Sequence, residues 1–281
     1  MCELLGMDCN TPTDITFSFK GFARRGGATA PHGDGWGLAF FEGRAARTFL
    51  DPHPCAQSPL AAFLHAHPIK TLQAIAHIRR KTRGVARLAN THPFQRELWG
   101  RHFVFAHNGT IARARELHLG GRYAPIGQTD SERAFCFMLD RLRARFARPA
   151  DDPEAMWRYL ARLSGEVATR GTFNFLLGDG EYLFARCDTR LWHIVRQAPF
   201  GRATLRDDEL SVDFSAVTTP RDRVAVIATT PLTVDEPWVR GEPATLWVFR
   251  RGRLVATLPS GTPSRKALRL LAAERASSTA G

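Results

Sequence analysis

The sequence opens with Met1-Cys2-Glu3-Leu4-Leu5-Gly6-Met7-Asp8, a stretch typical of the start of a β-strand with a cysteine at its tip. It lacks the basic segment and the long apolar run of a signal peptide. If Met1 is removed, Cys2 carries both a thiol, with a reference pKa of about 8.5, and an α-amine, with one of about 7.7–8.0. The amine can then serve as the base for the thiol, as in N-terminal nucleophiles. The alternative is an ordinary buried cysteine, and Cys2 alone does not decide between the two.

The composition predicts a globular protein with a sizeable core, because 44% of the 281 residues are hydrophobic. The sequence has no run of 18 or more apolar residues, so we expect no transmembrane helix and no membrane partner. The formal net charge of +12 invites a nucleic-acid-binding interpretation. However, the basic residues are mostly arginines scattered along the chain, without a lysine-rich run. This distribution favours a basic composition without a nucleic-acid partner.

The cysteine and histidine patterns favour neither disulfides nor a metal. Five cysteines are present, an odd number, and no CxxC motif occurs. A metal hydrolase remains an alternative because the chain has ten histidines, but it has no HExxH motif. His65 and His67 are two residues apart in a predicted helix and so face different sides. We therefore expect a reduced, cytoplasmic protein without a metal.

The order of the predicted elements indicates an α+β fold. Strand-like segments come first, two long helices occupy the middle, and alternating strand patterns return after Gly171. The predicted helices are Thr13–Arg25, Ser58–His67, Thr129–Phe146, Pro153–Arg170 and the start of the tail Pro263–Gly281. The predicted strands after the first include Ala46–Leu50, Thr71–Arg80, Arg101–Ala106, Phe173–Leu177, Tyr182–Cys187, Leu191–Arg196, Val224–Thr229, Leu246–Arg250 and Leu254–Leu258. We expect two sheets, with helices between or outside them.

Three further places hold polar residues that a plain fold would not require. Arg79 ends a predicted strand and offers a planar fork to a carboxylate, although it also fits a solvated basic loop. Asn108 and Gly109 follow a buried strand and could form an oxyanion hole, although Asn-Gly is also the commonest tight-turn pair. Asp130 could bind an ammonium group, although an acidic residue is favourable at any helix N-terminus.

Together these groups suit one chemistry. A thiol with its own amine base, an oxyanion hole, a carboxylate site and an ammonium site are what an enzyme needs to attack the side-chain amide of a free amino acid. Glutamine fits this set. Its α-carboxylate would bind Arg79, and its α-amine would bind Asp130.

On these residues the chain resembles the class II glutamine amidotransferases, which are N-terminal nucleophile hydrolases. Within that family it is most similar to the stand-alone bacterial YafJ-type proteins. The matching motifs, in order, are Cys2, Arg25-Gly26, Asp34-Gly35-Trp36-Gly37, Ala76-His77-Ile78-Arg79, Ala106-His107-Asn108-Gly109-Thr110 and Thr129-Asp130-Ser131-Glu132.

The resemblance implies a four-layer αββα sandwich of two mostly antiparallel sheets. It implies a glutamine amidotransferase type 2 domain over residues 2–258, followed by a basic C-terminal helix and tail over residues 259–281. The implied catalytic residues are Cys2, Asn108, Gly109, Arg25 and Gly26, and the implied substrate-binding residues are Arg79, Thr82 and Asp130. No cofactor and no metal are implied.

The sequence also departs from the family pattern. Fused synthases of the family usually have Gly after the nucleophile, where this chain has Glu3, and an aromatic residue where it has Arg80. Arg83 stands where some members have His. The pocket beside Arg79 is thus expected to be more basic than in those synthases, which favours a γ-glutamyl compound with an extra acidic group over plain glutamine. The released ammonia would reach a separate synthase subunit, or the enzyme would act as an amidase on a γ-glutamyl thiol metabolite.

Overall fold

Two antiparallel sheets form the centre of the computed structural model, which describes residues 2–81 and 85–278. The strands are β1 (Glu3–Thr13), β2 (Trp36–Glu42), β3 (Ala45–Asp51), β4 (Thr71–Ile78), β5 (Phe94–Leu98), β6 (Arg101–Ile111), β7 (Gly171–Gly178), β8 (Leu183–Cys187), β9 (Trp192–Gln197), β10 (Arg202–Thr204), β11 (Ser211–Asp213), β12 (Arg223–Ala228), β13 (Val239–Arg240), β14 (Thr245–Arg250) and β15 (Arg253–Pro259). One sheet has the order β13-β9-β12-β1-β4-β2-β3, and the other has the order β15-β14-β8-β7-β6-β5. Strands β10 and β11 form a separate two-stranded ribbon.

Five α-helices accompany the sheets. They are α1 (Thr16–Arg24), α2 (Pro59–Ala66), α3 (Asp130–Arg145), α4 (Pro153–Ala168) and α5 (Arg265–Ser278). Helices α1 and α2 share an apolar cluster with the outer face of the seven-stranded sheet, and α3 and α4 share one with the outer face of the six-stranded sheet. No helix in the described part of the chain is long and apolar enough to cross a membrane.

A third apolar cluster lies between the two sheets and completes the sandwich. Successive side chains of a strand point to opposite faces of its sheet, and β1 shows how this alternation contributes to two layers. Leu4 points into the cluster between the sheets, whereas Leu5 and Met7 point into the cluster under α1 and α2. The predicted α+β class and the implied four-layer αββα sandwich are confirmed. The division of the chain at residue 258 stays a prediction, and Ala267 of α5 is buried.

Strand β1 occupies the middle of the seven-stranded sheet, between β12 and β4. Glu3 lies opposite Ile78 and Leu4 lies opposite His77. The pairing is antiparallel, so the start of β1 meets the end of β4. This register brings residue 2 next to residues 79 and 80, which are 77 and more positions away in the sequence.

Several predicted element bounds need correction. Strand β6 does not end before His107 but continues to Ile111, so Asn108 and Gly109 lie within a strand. Strand β5 was not predicted, because its short polar sequence, Phe94–Leu98, lacks clear alternation. Helix α1 begins at Thr16 rather than Thr13, with the Asp14 side chain accepting the N–H of Thr16.

Thr129 and Glu132 have the spacing of a capping box at the start of α3, and half of that box is formed. The Thr129 side chain accepts the N–H of Glu132. However, the Glu132 carboxylate does not turn back to Thr129. It accepts from the N–H groups of Ile126 and Gly127 and pairs with Arg96. Glu132 therefore fixes the loop before the helix rather than the helix start itself.

Candidate active site

Cys2 stands immediately before β1, beside the residues that follow β4. Its Sγ lies 3.4 Å from the backbone nitrogen of Arg80. The residue is half-buried. Desolvation raises the pKa of the Cys2 thiol, and the N–H of Arg80 acts in the opposite direction. Because only the thiolate is strongly nucleophilic, this thiol would need a base to act as a nucleophile.

Arg79 is the first residue after β4 and is only 4% exposed. Its guanidinium donates to the carbonyl oxygens of Asp34, at 3.5 Å, and Val85, at 3.3 Å. Arg79 and Cys2 both line a cavity of about 540 Å³. A buried guanidinium in a cavity wall suits a carboxylate ligand. Thr82, the other residue implied to contact the substrate here, lies outside the described residues.

Asn108 is completely buried on β6, yet neither Nδ2 nor Oδ1 of its side chain has a hydrogen-bond partner among residues 2–81 and 85–278. The next residue, Gly109, lines the cavity. A Cβ at Gly109 would overlap the carbonyl oxygen of Thr172 on β7, so only glycine lets the two strands approach here. The tight-turn interpretation of this pair is therefore wrong.

Asp130 is the first residue of α3 and is half-buried in the cavity wall. Its Oδ2 accepts the N–H of Ile111 at 2.6 Å, and its Oδ1 accepts the N–H of Ser131 at 2.9 Å. The first bond ties the start of the helix to the end of β6. Each carboxylate oxygen has further lone-pair capacity, so the group can still accept from an ammonium.

Three buried histidines connect the motif segments, and sequence reasoning assigned them no role. The His77 ring on β4 donates from Nε2 to the carbonyl oxygen of His107 on β6, at 3.1 Å, and so joins the two sheets beside the site. The His107 ring lies 3.0 Å from the carbonyl oxygen of Thr172 and 2.8 Å from Ser131 Oγ. His92 stacks on His77 with ring centroids 4.2 Å apart.

His77 and His107 act as neutral hydrogen-bonding groups, whereas neither ring nitrogen of His92 has a hydrogen-bond partner among the described residues. Burial lowers the pKa of His77 to about 3, and burial also lowers the pKa values of His92 and His107. Because the Thr172 carbonyl can only accept, Nε2 of His107 carries the proton and Nδ1 accepts from Ser131. The histidines of the two motifs therefore set the relative position of β4, β6 and α3.

Arg25 lies behind Cys2 rather than in the cavity wall. The residue is 4% exposed, and its side chain forms an ion pair with Glu3, the residue after Cys2, at 3.1 Å. It also contacts Asp207 and donates to the carbonyl oxygens of Thr230 and Pro231. The backbone at Gly26 packs closely on Cys55, and a Cβ there would overlap that side chain. The catalytic roles implied for Arg25 and Gly26 stay predictions.

The structure thus brings Cys2, Arg79, Gly109 and Asp130 to one cavity, with Asn108 buried beside Gly109. Two of these residues come from the strand ends of one sheet, and the others come from the second sheet and its covering helix. Within the described part of the chain, no group of three or more His, Cys, Asp or Glu is arranged to hold a metal ion. The arrangement suits covalent attack on a carbonyl compound that carries both a carboxylate and an ammonium group.

Comparison with known proteins gives a consistent result across the whole chain. A family model described as class-II glutamine amidotransferases matches residues 1–272. The chain is 49% identical over 255 residues to the Escherichia coli K12 protein named "Putative glutamine amidotransferase YafJ", covering 91% of this chain and 100% of the relative. It is 44% identical to a Haemophilus influenzae protein named "Putative glutamine amidotransferase", covering 94% of this chain and 88% of the relative.

Two solved structures support the same fold. The crystal structure of a predicted glutamine amidotransferase from Pseudomonas aeruginosa PA01 is 42% identical, with a TM-score of 0.72, and the match covers 91% of this chain and 100% of that one. The glutamine phosphoribosylpyrophosphate amidotransferase of B. subtilis is 14% identical, with a TM-score of 0.59 over 94% of this chain and 50% of that one. At that identity the likeness is one of fold alone.

Proposed function

The chain belongs to the class II glutamine amidotransferases, and from that premise we propose that Cys2 is its N-terminal nucleophile. After removal of Met1, the Cys2 thiol would attack the γ-amide carbonyl of glutamine or of a γ-glutamyl compound. A γ-glutamyl thioester would form and then be hydrolysed to glutamate. The observation that carries this proposal is the buried amide of Asn108, which has no partner among the described residues and lies beside the cavity that Cys2 lines.

The base in this proposal is the α-amine of Cys2 itself. Burial raises the pKa of the Cys2 thiol, so little thiolate forms without a base. A free α-amine has a reference pKa of about 7.7–8.0, and it would accept the thiol proton directly or through a water. Peptide linkage to Met1 would block this role, because an amide nitrogen is not a base. Activity therefore depends on removal of Met1.

The oxyanion would be held by the Asn108 side chain and the Gly109 N–H. A buried amide without a partner costs free energy in the empty enzyme, typically about 1–3 kcal/mol. A negatively charged oxygen in the cavity would satisfy it. Donors of this kind contribute about 3–4 kcal/mol each to transition-state stabilisation in comparable sites.

The two charged groups in the cavity wall would orient the substrate. The Arg79 guanidinium would bind the α-carboxylate, and the Asp130 carboxylate would bind the α-ammonium. The cavity accommodates both groups together with Cys2. Thr82 would assist Arg79, as the family resemblance implies.

The proposed reaction proceeds through a γ-glutamyl thioester on Cys2. The thiol proton passes to the amine while the sulfur–carbon bond forms and the carbonyl oxygen becomes the oxyanion. The oxyanion then collapses, the carbon–nitrogen bond breaks, and the leaving ammonia or amine takes the proton. A water next attacks the thioester, returns the proton to sulfur and releases glutamate. The leaving ammonia would pass to a separate synthase subunit, or an amine would be released by an amidase acting on a γ-glutamyl thiol metabolite.

Intact-protein mass spectrometry after treatment with 6-diazo-5-oxo-L-norleucine tests the proposal. This glutamine analogue alkylates the attacking thiol with loss of nitrogen gas. We expect a protein without Met1 that carries one adduct on Cys2. Cys9→Ala serves as the matched control, because Cys9 lies buried on β1, the strand that Cys2 precedes, and this variant should keep the adduct.

The Cys2→Ala variant should gain no adduct and should not hydrolyse glutamine. Glutamine hydrolysis by that variant, or an adduct on a chain that retains Met1, would exclude the proposed mechanism.

A further inference from the structure

The cavity beside Cys2 is larger than the proposed glutamine contacts require. Its volume of about 540 Å³ lies within the range of pockets that hold drug-sized ligands, roughly 300–1,000 Å³. Beyond Arg79 and Asp130, its wall is built from the segment after β6 and from the loop that leads into α3. The additional wall suggests that a group attached to the γ-amide nitrogen has room beside the nucleophile.

The charged side chains of the wall are mostly cationic. Six positive side chains line the cavity, against the carboxylates of Glu116 and Asp130. The six are Arg79, Arg80, Lys81, Arg113, Arg115 and Arg133. A concave surface lined by one sign of charge concentrates ligands of the opposite sign.

Three of these cations are already engaged within the protein. Lys81 Nζ lies 3.3 Å from Asp34 Oδ1, and Arg113 lies 3.6 Å from the carboxylate of Glu116. Arg133 donates to the carbonyl oxygens of residues 114, 115 and 117, and so holds the turn after β6. Arg79 is assigned to the substrate α-carboxylate in the proposed function. Two of the six cationic side chains of the cavity therefore have no contact assigned to them so far.

Those two are Arg80 and Arg115. Both residues are exposed, and neither guanidinium has a hydrogen bond or an ion pair with any residue in the described ranges 2–81 and 85–278. The backbone of Arg80 contacts Cys2 Sγ, so its side chain starts next to the proposed nucleophile. The backbone of Arg115 is held by Arg133, 3.4 Å from its carbonyl oxygen. Both guanidinium groups are thus attached to fixed backbone at the cavity wall.

We propose that the substrate is a γ-glutamyl amide whose amine part carries a negative charge, and that Arg80 and Arg115 recognise that charge. The inference rests on the proposed function. Water replaces the amine at the γ-carbonyl: the carbon–nitrogen bond breaks, a carbon–oxygen bond forms, and the anionic amine leaves protonated. Guanidinium groups bind carboxylate and similar oxyanions through paired, charge-assisted hydrogen bonds.

A matched pair of substrates tests the inference, γ-glutamylglycine and γ-glutamylglycinamide. The two have the same length and differ only in the charge of the terminal group. For the wild-type enzyme we expect kcat/KM to be about tenfold higher for γ-glutamylglycine, the factor typical of one charge-assisted contact. Raising the salt concentration should reduce this ratio, because the two guanidinium groups are exposed.

The variants Arg80→Gln and Arg115→Gln should each lower the ratio severalfold, and the double variant should bring it close to one. Arg253→Gln is the control, because Arg253 is an exposed arginine on β15 outside the cavity lining. It should keep the wild-type ratio. Labelling of Cys2 by the diazo analogue shows that each variant is folded with a competent nucleophile.

Equal rates on the two substrates in the wild type, or a ratio that survives in the double variant, would overturn the inference. Hydrolysis of glutamine together with equal rates on the pair would reject the anionic substrate and leave the proposed function intact. Failure to hydrolyse any of the three amides, together with an unlabelled Cys2, would reject the proposed function itself.

Discussion

Two buried asparagines lie directly opposite each other on neighbouring strands, and they differ completely in their hydrogen bonds. Asn108 on β6 pairs in register with Asn174 on β7, and both are 0% exposed. The Asn174 side chain is fully used. Its Nδ2 donates to the carbonyl oxygen of Asn108 and to Thr189 Oγ1, and its Oδ1 accepts the N–H groups of residues 188, 189 and 190. The Asn108 side chain has no partner among the described residues.

The same residue type thus satisfies the backbone on one strand and, in the proposed function, binds the oxyanion from the next. The Oδ1 of Asn174 holds the loop after β8 in place. Its Nδ2 donates to the carbonyl oxygen of Asn108 at 3.0 Å and so fixes the backbone there. Asn108 can then present an unpaired amide in a fixed position. A polar group that stays unpaired when buried costs free energy, and such groups are rare in folded proteins. We therefore expect variants of the two residues to affect different properties of the protein.

The largest expected effect is on catalysis at Asn108. Asn108→Ala removes one proposed oxyanion donor and should lower kcat for glutamine hydrolysis by about 10²–10³-fold. The free energy of unfolding should stay within about 1 kcal/mol of wild type, because no hydrogen bond is lost. Steady-state kinetics and urea unfolding measure the two properties.

A second variant tests whether the loss of activity comes from the missing N–H donor or from the smaller side chain. Asn108→Asp has nearly the same volume but, as a carboxylate, offers no N–H donor, and it should lose activity to a similar degree. Near-normal kcat in both variants would show that Asn108 does not stabilise the oxyanion.

The next effect is on stability at Asn174. Asn174→Ala leaves the buried N–H groups of residues 188 and 189 without their acceptor, and it should lower the free energy of unfolding by about 3 kcal/mol. Urea unfolding measures this change, with Asn108→Ala as the matched control one strand away. If the two alanine variants were equally stable, the division of roles between the asparagines would be wrong.

Much of the site could be predicted from the sequence because each motif lies at the end of a recognisable element. The buried strand before Arg79, the capped helix that begins at Asp130 and the strand that starts after Cys2 are local patterns, and the structure contains all three elements. The register of β1 and β4 could not be read from sequence, because it joins residues more than 70 positions apart.

Asn108 and Asn174 show where local reasoning fails. An Asn-Gly pair favours a turn by its own conformational preferences. Here Gly109 is needed instead because β7 passes too close for a Cβ, which depends on a strand more than 60 positions away. Asn174 carried no local signal at all, since every partner of its side chain comes from tertiary structure. The roles of His77 and His107 were missed for the same reason.

Asp8 extends the comparison from neutral amides to a charged group, whose effect on stability depends on the pH. It lies on β1 and is 3% exposed. Its Oδ1 accepts the N–H of Gly252 at 2.6 Å, and its Oδ2 accepts from Gln73 at 3.3 Å. These bonds do not outweigh desolvation, because burial raises the pKa of Asp8 from 3.8 to about 6.

The raised pKa sets the direction of the pH dependence. Between about pH 4 and pH 6 the folded state holds the Asp8 proton more tightly than the unfolded chain does, so the free energy of unfolding falls as the pH rises. The contribution is fully present below the unfolded pKa and lost as the pH passes the folded pKa, a change of about 3 kcal/mol in all. Asp8→Asn should remove this slope and should be more stable than wild type near pH 7.5.

Urea unfolding between pH 4 and pH 8 measures the difference between wild type and Asp8→Asn at each pH. Asp213→Asn is the control, because Asp213 is exposed and its pKa is lowered by hydrogen bonds from Ser215, so that variant should keep the slope that Asp8 causes. If the free energies of unfolding of Asp8→Asn and of the wild type changed in parallel between pH 4 and pH 8, the two hydrogen bonds to Asp8 would compensate the cost of burying its charge. Asp8 would then resemble Asn174, a fully satisfied group, rather than Asn108.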